Sequence, residues 1–272
     1  MEIADLEKIC RNVRKHIIQS LKEARSGHPG GSLSAADLMV ALYFNYMKHD
    51  PKNPQWGDRD FFILSKGHAC PALYAVLAEA GYFSTNELCT LRKCKSRLQG
   101  HPATDKGLEG IEISSGSLGM GLSVGVGVAL GSRIQQKKSR VYVMLSDGEH
   151  QEGSTWEGIM AAGHYGVDNL CAIVDYNGLQ IDGKIENVMG IAPLIDKYRA
   201  FRWDVQEIDG HDLKQIMEAY AAAERTKNKP TVIIAHTTKG KGVCFMENII
   251  EWHGKAPDSQ QCTQALDELA GQ

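Results

Sequence analysis

Two apolar runs that stop abruptly at an oxygen-bearing side chain and a glycine constrain this chain most. The first, Val141-Tyr142-Val143-Met144-Leu145-Ser146, ends in Asp147-Gly148. The second, Leu170-Cys171-Ala172-Ile173-Val174, ends in Asp175-Tyr176-Asn177-Gly178. Unbroken runs rich in Val, Ile and Leu are strands covered on both faces, because neither side of the pleat is polar. In a parallel sheet Asp147 and Asn177 would emerge together at the carboxyl edge, where open α/β folds bind ligands. A carboxylate and an amide oxygen side by side suit a hard cation such as magnesium, which usually also holds phosphate oxygens. Gly148 would let the backbone approach that phosphate closely. Asp-Gly and Asn-Gly are also favoured turns in any fold, so these residues alone leave both readings open.

Further strand candidates at 61–65, 204–208 and 231–236 join 141–146 and 170–175. Helical patterns lie at 2–24, 34–47, 69–81, 118–136, 154–166, 193–201, 211–226 and 260–270. Strands alternating with helices predict an α/β fold, a parallel sheet with helices on both faces. Ser154 ahead of Glu157, and His211-Asp212 ahead of Leu213, mark helix starts. The Pro- and Asp-rich stretch 48–60 is expected to wrap the surface. No linker divides the chain, so residues 1–272 are expected to form a single domain.

Charged residues make up 23% of the chain, the net charge is −3, and no basic run is long, which argues against a nucleic-acid partner. Residues 113–132 carry no charge for twenty positions, yet Gly and Ser fill eleven of them. That is too polar for a membrane span. A buried helix is expected instead, its glycines at 119, 121, 125, 127 and 131 allowing very close packing. The seven cysteines are odd in number and form no Cys-x-x-Cys pair, against both a disulfide framework and a zinc site. A reduced, cytoplasmic setting is expected.

Four histidines stand beside glycine or proline in loop contexts: His28 in SGHPGG, His68 in SKGHAC, His101 in QGHP and His253 in EWHGK. Imidazoles on such turns can reach a ligand from rigid flanking elements. Any single one is more commonly a capping or surface residue, and periodicity does not show that they converge. The small-residue turn 114–121 offers N–H groups at a helix start. Lys239, in KGKG after strand 231–236, is placed to neutralise phosphate or simply to be solvated.

Taken in order, SGHPG, LSKGHACPALYAVL, QGHP, SSGSLGMGLSVGVGVA, SDGEHQEGSTWE, DYNGLQIDG, EIDGHD and KGKG…EWHGKAP resemble the transketolase family over nearly the whole chain. The resemblance implies thiamine diphosphate chemistry with magnesium. It implies Asp147, Asn177 and the backbone oxygen of Leu179 as metal ligands, and Gly148 at the diphosphate. Gly116 and Leu118 match residues whose backbones meet the aminopyrimidine ring. His68 and Lys239 match cofactor-contacting positions. His28, His101 and His253 match histidines lining the cofactor and sugar channel, where imidazoles can shuttle protons. Glu152 resembles a buried acid that links the two active sites of a dimer. Met120 stands where the family often has Gln, Ser117 where some members have Pro, and Ile250 where some have His. The last departure bears on donor specificity and phosphate recognition.

Complete transketolases continue through a pyrimidine-binding domain, which supplies the glutamate that activates the cofactor, and then a third domain. No second series of apolar strands follows 231–236 here. The expectation is therefore the N-terminal subunit of a two-chain transketolase, completed by a C-terminal subunit that carries the pyrimidine-binding domain and that glutamate. Such pairs would associate symmetrically, as a heterotetramer. The assembly would move a two-carbon ketol unit from a ketose phosphate to an aldose phosphate. The alternatives are a related split thiamine enzyme acting on an unusual sugar or biosynthetic intermediate, or a non-catalytic assembly or regulatory half.

Overall fold

The apolar runs form the middle of a twisted sheet in the computed structural model, which describes residues 1–271. Helices α1 (Ile3–Ala24), α2 (Pro29–Ser34) and α3 (Ala36–Ala41) precede strand β1 (Phe61–Leu64). Then come α4 (Cys70–Glu79), α5 (Gly121–Ile134), β2 (Val141–Ser146), α6 (Gly153–His164) and β3 (Leu170–Tyr176). A small hairpin, β4 (Leu179–Gln180) and β5 (Gly183–Lys184), leads through α7 (Ile185–Met189) and α8 (Leu194–Ala200) to β6 (Asp204–Asp209). The chain closes with α9 (Leu213–Arg225), β7 (Thr231–His236) and α10 (Ser259–Ala270).

The main sheet has the order β1-β2-β3-β7-β6 and every pairing in it is parallel. Every residue of β2 is buried. Its alternating side chains feed two cores: Tyr142 and Met144 pack with α1, α3, α4 and α9, while Val141, Val143 and Leu145 pack with α5, α6 and α8. This two-sided burial is what a non-alternating run requires. Ser146 pairs with Asp175, and the Asp147 N–H donates to the Asp175 carbonyl at 3.3 Å. The two strand ends therefore leave the sheet side by side, as the sequence predicts.

Several boundaries differ from expectation. The helix expected at 34–47 begins at Pro29, whose fixed φ suits a first helical turn, continues as α2 and α3, and ends in a wider π turn at Leu42–Tyr46. The helix expected over 118–136 starts only at Gly121. Ser154 does not cap α6, which starts at Gly153 without a side-chain cap, whereas Asp212 does cap α9, accepting from the Lys214 and Gln215 N–H groups. Strands of two residues are too short to leave a periodic trace, which is why no sequence pattern announces the hairpin. The glycine stripe divides. A Cβ at Gly121 or Gly125 would lie within 2.5 Å of a neighbouring side-chain atom, but at Gly127 and Gly131 it would meet nothing within 4 Å. So α5 packs tightly by one face and presents the other outward. The seven cysteines are free thiols. Among the described residues no helix is long and apolar enough to cross a membrane.

Candidate active site

A cleft of about 290 Å³ opens at the carboxyl edge between β2 and β3. Asp147, Gly148, Asn177 and Leu179 line it from the strand ends, Gly116 and Leu118 from the turn before α5, and Lys239 from the loop after β7. His28, His68 and His253 line it too, as does Glu152. His101 stands just behind, its ring 6.2 Å from that of His28. Residues scattered over most of the sequence thus meet in one place.

Asp147 is 1% exposed; one carboxylate oxygen accepts the Gly148 N–H at 2.8 Å and the other the Gly178 N–H at 2.5 Å. Burial, and then the nearby Asp175 charge, raise its carboxyl to about 6. The Asn177 Oδ1 accepts the Leu179 N–H at 3.2 Å and Asp147 accepts from Gly178, so a carboxylate and an amide oxygen meet at one turn. That donor set is all hard oxygen around an acid short of positive charge, which fits a magnesium ion. The atoms nearest a Cβ at Gly148 would be those of Gln180 and Ile185, at 3.8–3.9 Å, so the backbone is not crowded at the cleft.

Lys239 is 2% exposed and donates to the Leu179 carbonyl at 2.9 Å. Its ammonium also lies 2.9 Å from His253 Nδ1, which must accept because an ammonium has no lone pair. Burial and the Lys66 charge push Lys239 down to about 8. Lys66 is fully buried, bonded to the Asp175 carboxylate and, at 3.0 Å, to the Gly31 carbonyl. Ser34 and Thr237 also donate to Asp175. With Lys66 neutralised by Asp175, Lys239 is the lysine at this edge without a carboxylate partner among the contacts of the described residues, which suits an anion.

The ring centroids of His28, His68 and His253 lie 5.3–5.5 Å apart. They sit on short ordered elements: His28 at the N-cap of α2, His68 in the 3₁₀ turn Gly67–Ala69, and His253 in the 3₁₀ turn Ile250–His253. Burial leads in lowering His28 to about 4 and His253 to about 3, and it holds His68 well below its ordinary value. His101 shifts the same way, for the same reason and because Arg92 is near. The surroundings of all four thus favour the neutral imidazole over the charged one. The buried Nδ1 of His28 has no hydrogen-bond partner within the chain, as expected of a group facing a ligand. Gly116 holds φ at +148° and passes so close to His101 that a Cβ would lie 3.0 Å from its ring, so only glycine fits there.

Glu152 is exposed in this chain taken by itself. The buried acid of its segment is Glu149, 0% exposed, which accepts from the Gly119 N–H at 2.8 Å, the Ser146 N–H at 3.2 Å and the Ser65 hydroxyl. Glu149 ties the turn before α5 to the ends of β1 and β2. Glu149, Lys66 and Asp175 all lie outside the candidates that the motifs single out. The available signal was a charged residue at the end of an apolar strand run, as Asp175 is, or within three residues of it, as Lys66 and Glu149 are.

A parallel α/β sheet with such an edge is of the class that binds a ligand at the carboxyl ends of its strands. The chain belongs to the transketolase family: the profile described as transketolase, thiamine diphosphate binding domain, matches residues 6–270. It is 40% identical over 270 residues to an apulose-4-phosphate transketolase subunit of Phocaeicola vulgatus, covering 99% of this chain and 95% of that one. It is 41% identical to 6-deoxy-6-sulfo-D-fructose transketolase subunit SqwG of a Clostridium species, over 97% of this chain and 96% of that one. The fold superposes on the crystal structure of transketolase from Campylobacter jejuni with a TM-score of 0.93 at 30% identity. That match covers 99% of this chain but 43% of the other, so the chain spans less than half the length of the solved transketolase.

Proposed function

We propose that this chain is the diphosphate-binding subunit of a two-chain thiamine diphosphate enzyme that transfers a two-carbon ketol unit between sugars. The observation that carries the reading is the convergence of Asp147, Asn177, Leu179, Lys239 and neutral histidines in one cleft. The two-chain organisation is supported by relatives named as subunits that align over 95–96% of their own length. Those relatives are named for apulose 4-phosphate and a sulfofructose. They favour an unusual sugar donor over the ordinary ketose phosphates, which reverses the order of the two sequence-based readings.

Thiamine diphosphate, when bound, supplies the electron sink that lets a carbon–carbon bond beside a carbonyl break. In our reading Asp147, Asn177 and the Leu179 carbonyl hold magnesium, Lys239 neutralises the diphosphate, and Gly148 lets it approach. Gly116 and Leu118 present backbone to the aminopyrimidine, and His68 contacts the cofactor. His28, His101 and His253 exchange protons with sugar hydroxyls, for which neutral imidazoles are suited. The partner subunit supplies the pyrimidine-binding domain and the activating glutamate. Glu152, exposed here, is assigned to the contact between the halves of a heterotetramer.

The test is calorimetry of the reconstituted pair with thiamine diphosphate and magnesium, followed by a donor panel. Magnesium-dependent binding is expected, and Asp147→Asn should abolish the magnesium dependence without unfolding the chain. Apulose 4-phosphate and sulfofructose should be tried beside common ketose phosphates. An absence of magnesium-dependent binding, with or without a partner, would favour the non-catalytic alternative.

A further inference from the structure

The EIDGHD segment lies away from the cleft lining, yet it grips the loop that carries Lys239. Strands β6 and β7 run parallel, with Asp209 paired to His236, so the loops that follow them leave the sheet together. The Gly210 N–H donates to the His236 carbonyl at 2.8 Å, extending the ladder by one bond. A Cβ at Gly210 would lie 2.5 Å from the Thr237 side chain, so glycine is what lets the two loops touch. This contact brings the His211 ring over Thr238.

The Thr238 N–H donates to His211 Nε2 at 2.8 Å. A peptide N–H can only donate, so Nε2 must carry the lone pair and Nδ1 the proton. Nδ1 then donates to Asp37 Oδ2 at 2.8 Å. The Asp37 carboxylate accepts two bonds from the Arg14 guanidinium, at 2.8 and 2.6 Å, a bidentate pair that fixes its plane. Arg14 Nε in turn donates to the Lys241 carbonyl at 3.2 Å. Asp37 and Arg14 are 5% and 6% exposed. Thr238 and Lys241 are therefore tied from one buried bracket, with Lys239 and Gly240 between them. The Gly240 N–H donates to the Gly30 carbonyl at 3.0 Å on the cleft side.

We propose that His211 is a positioning residue: as the Nδ1–H tautomer held by Asp37 and Arg14, it places Lys239 by accepting the Thr238 N–H. The inference rests on the reading of Lys239 as the diphosphate-neutralising group, but its test needs no cofactor. In the wild-type full chain, ¹⁵N NMR should report a protonated Nδ1 and an unprotonated Nε2 at His211. Two variants then separate acceptor from donor. His211→Gln can bring an oxygen to the place of Nε2 and accept from Thr238. His211→Asn can supply an N–H at the place of Nδ1, keeping Asp37 but leaving Thr238 unpaired.

The readouts are amide hydrogen exchange at Thr238 and the rate at which an amine-acylating reagent modifies Lys239. In H211N, exchange at Thr238 should quicken about tenfold, the factor that a lost hydrogen bond of ordinary strength represents. H211Q should stay within about threefold of wild type. Lys239 should become more reactive in H211N alone, with thermal unfolding confirming that both variants fold. An Nε2–H tautomer in the wild type, or Thr238 exchange that is equal in the two variants or faster in H211Q, overturns the proposal. The tautomer measurement decides the matter even if a variant fails to fold. Neither result bears on magnesium-dependent cofactor binding, so the two readings fail separately.

Discussion

Adding one methyl group to α5 should have opposite effects at two positions two residues apart. At Gly125 the new Cβ would lie 2.4 Å from Val143 Cγ2, well inside contact distance. Val143 is fully buried on a central strand paired on both sides, and a β-branched side chain there has no other rotamer to adopt cheaply. Overpacking of this kind costs about 1–3 kcal/mol. The helix gains about 1 kcal/mol when Ala replaces Gly. Gly125→Ala should therefore destabilise the chain by up to about 2 kcal/mol, because the obstructing atom cannot move aside. At Gly127 nothing lies within 4 Å of the new Cβ, so only the helical gain remains, about 0.5–1 kcal/mol of stabilisation. Urea unfolding of both variants measures the difference. In thermal melts, about 2–4 °C per kcal/mol for a chain of this size, G125A should fall and G127A rise. Equal shifts, or a G125A variant as stable as G127A, would refute the close approach of α5 to β2.

His28 should remain neutral well below the range of a free imidazole, with an NMR titration midpoint near 4, because burial and then Arg92, His101 and Lys239 oppose its charge. Its folded value lies below its unfolded one, so its contribution to stability is full above about pH 6.5 and is lost as the pH falls towards 4. A midpoint above 6 would contradict that environment. Lys66→Met should cost about 3–5 kcal/mol, since it leaves the fully buried Asp175 carboxylate without its counter-charge. Denaturant unfolding measures this; a loss below about 1 kcal/mol would mean that Ser34 and Thr237 suffice as partners.

The strands and their meeting edge were legible because an apolar run has no solvent face to offer and so reports its own burial. The positions of Asp147 and Asn177 were legible for a related reason, since they mark where such runs stop. Residue identity alone did not separate Glu149 from Glu152. They stand three positions apart, and the 3₁₀ turn Gly148–Gln151 sends the first beneath Gly119 and leaves the second exposed. Nor did it separate Gly125 from Gly127, because which face of α5 meets β2 depends on how the helix is rotated against the sheet.

The sequence by itself determined the sheet, the carboxyl edge where Asp147 and Asn177 leave it, and the family. Tertiary structure alone decided that His28 meets His253, that Lys66 is neutralised by Asp175, and that His211 reaches Thr238. The physical reason is the range of the interactions. Periodicity records how each short stretch faces water, whereas these partners lie on different elements. They meet only after the helices have packed on the sheet and brought the ends of distant segments to one edge.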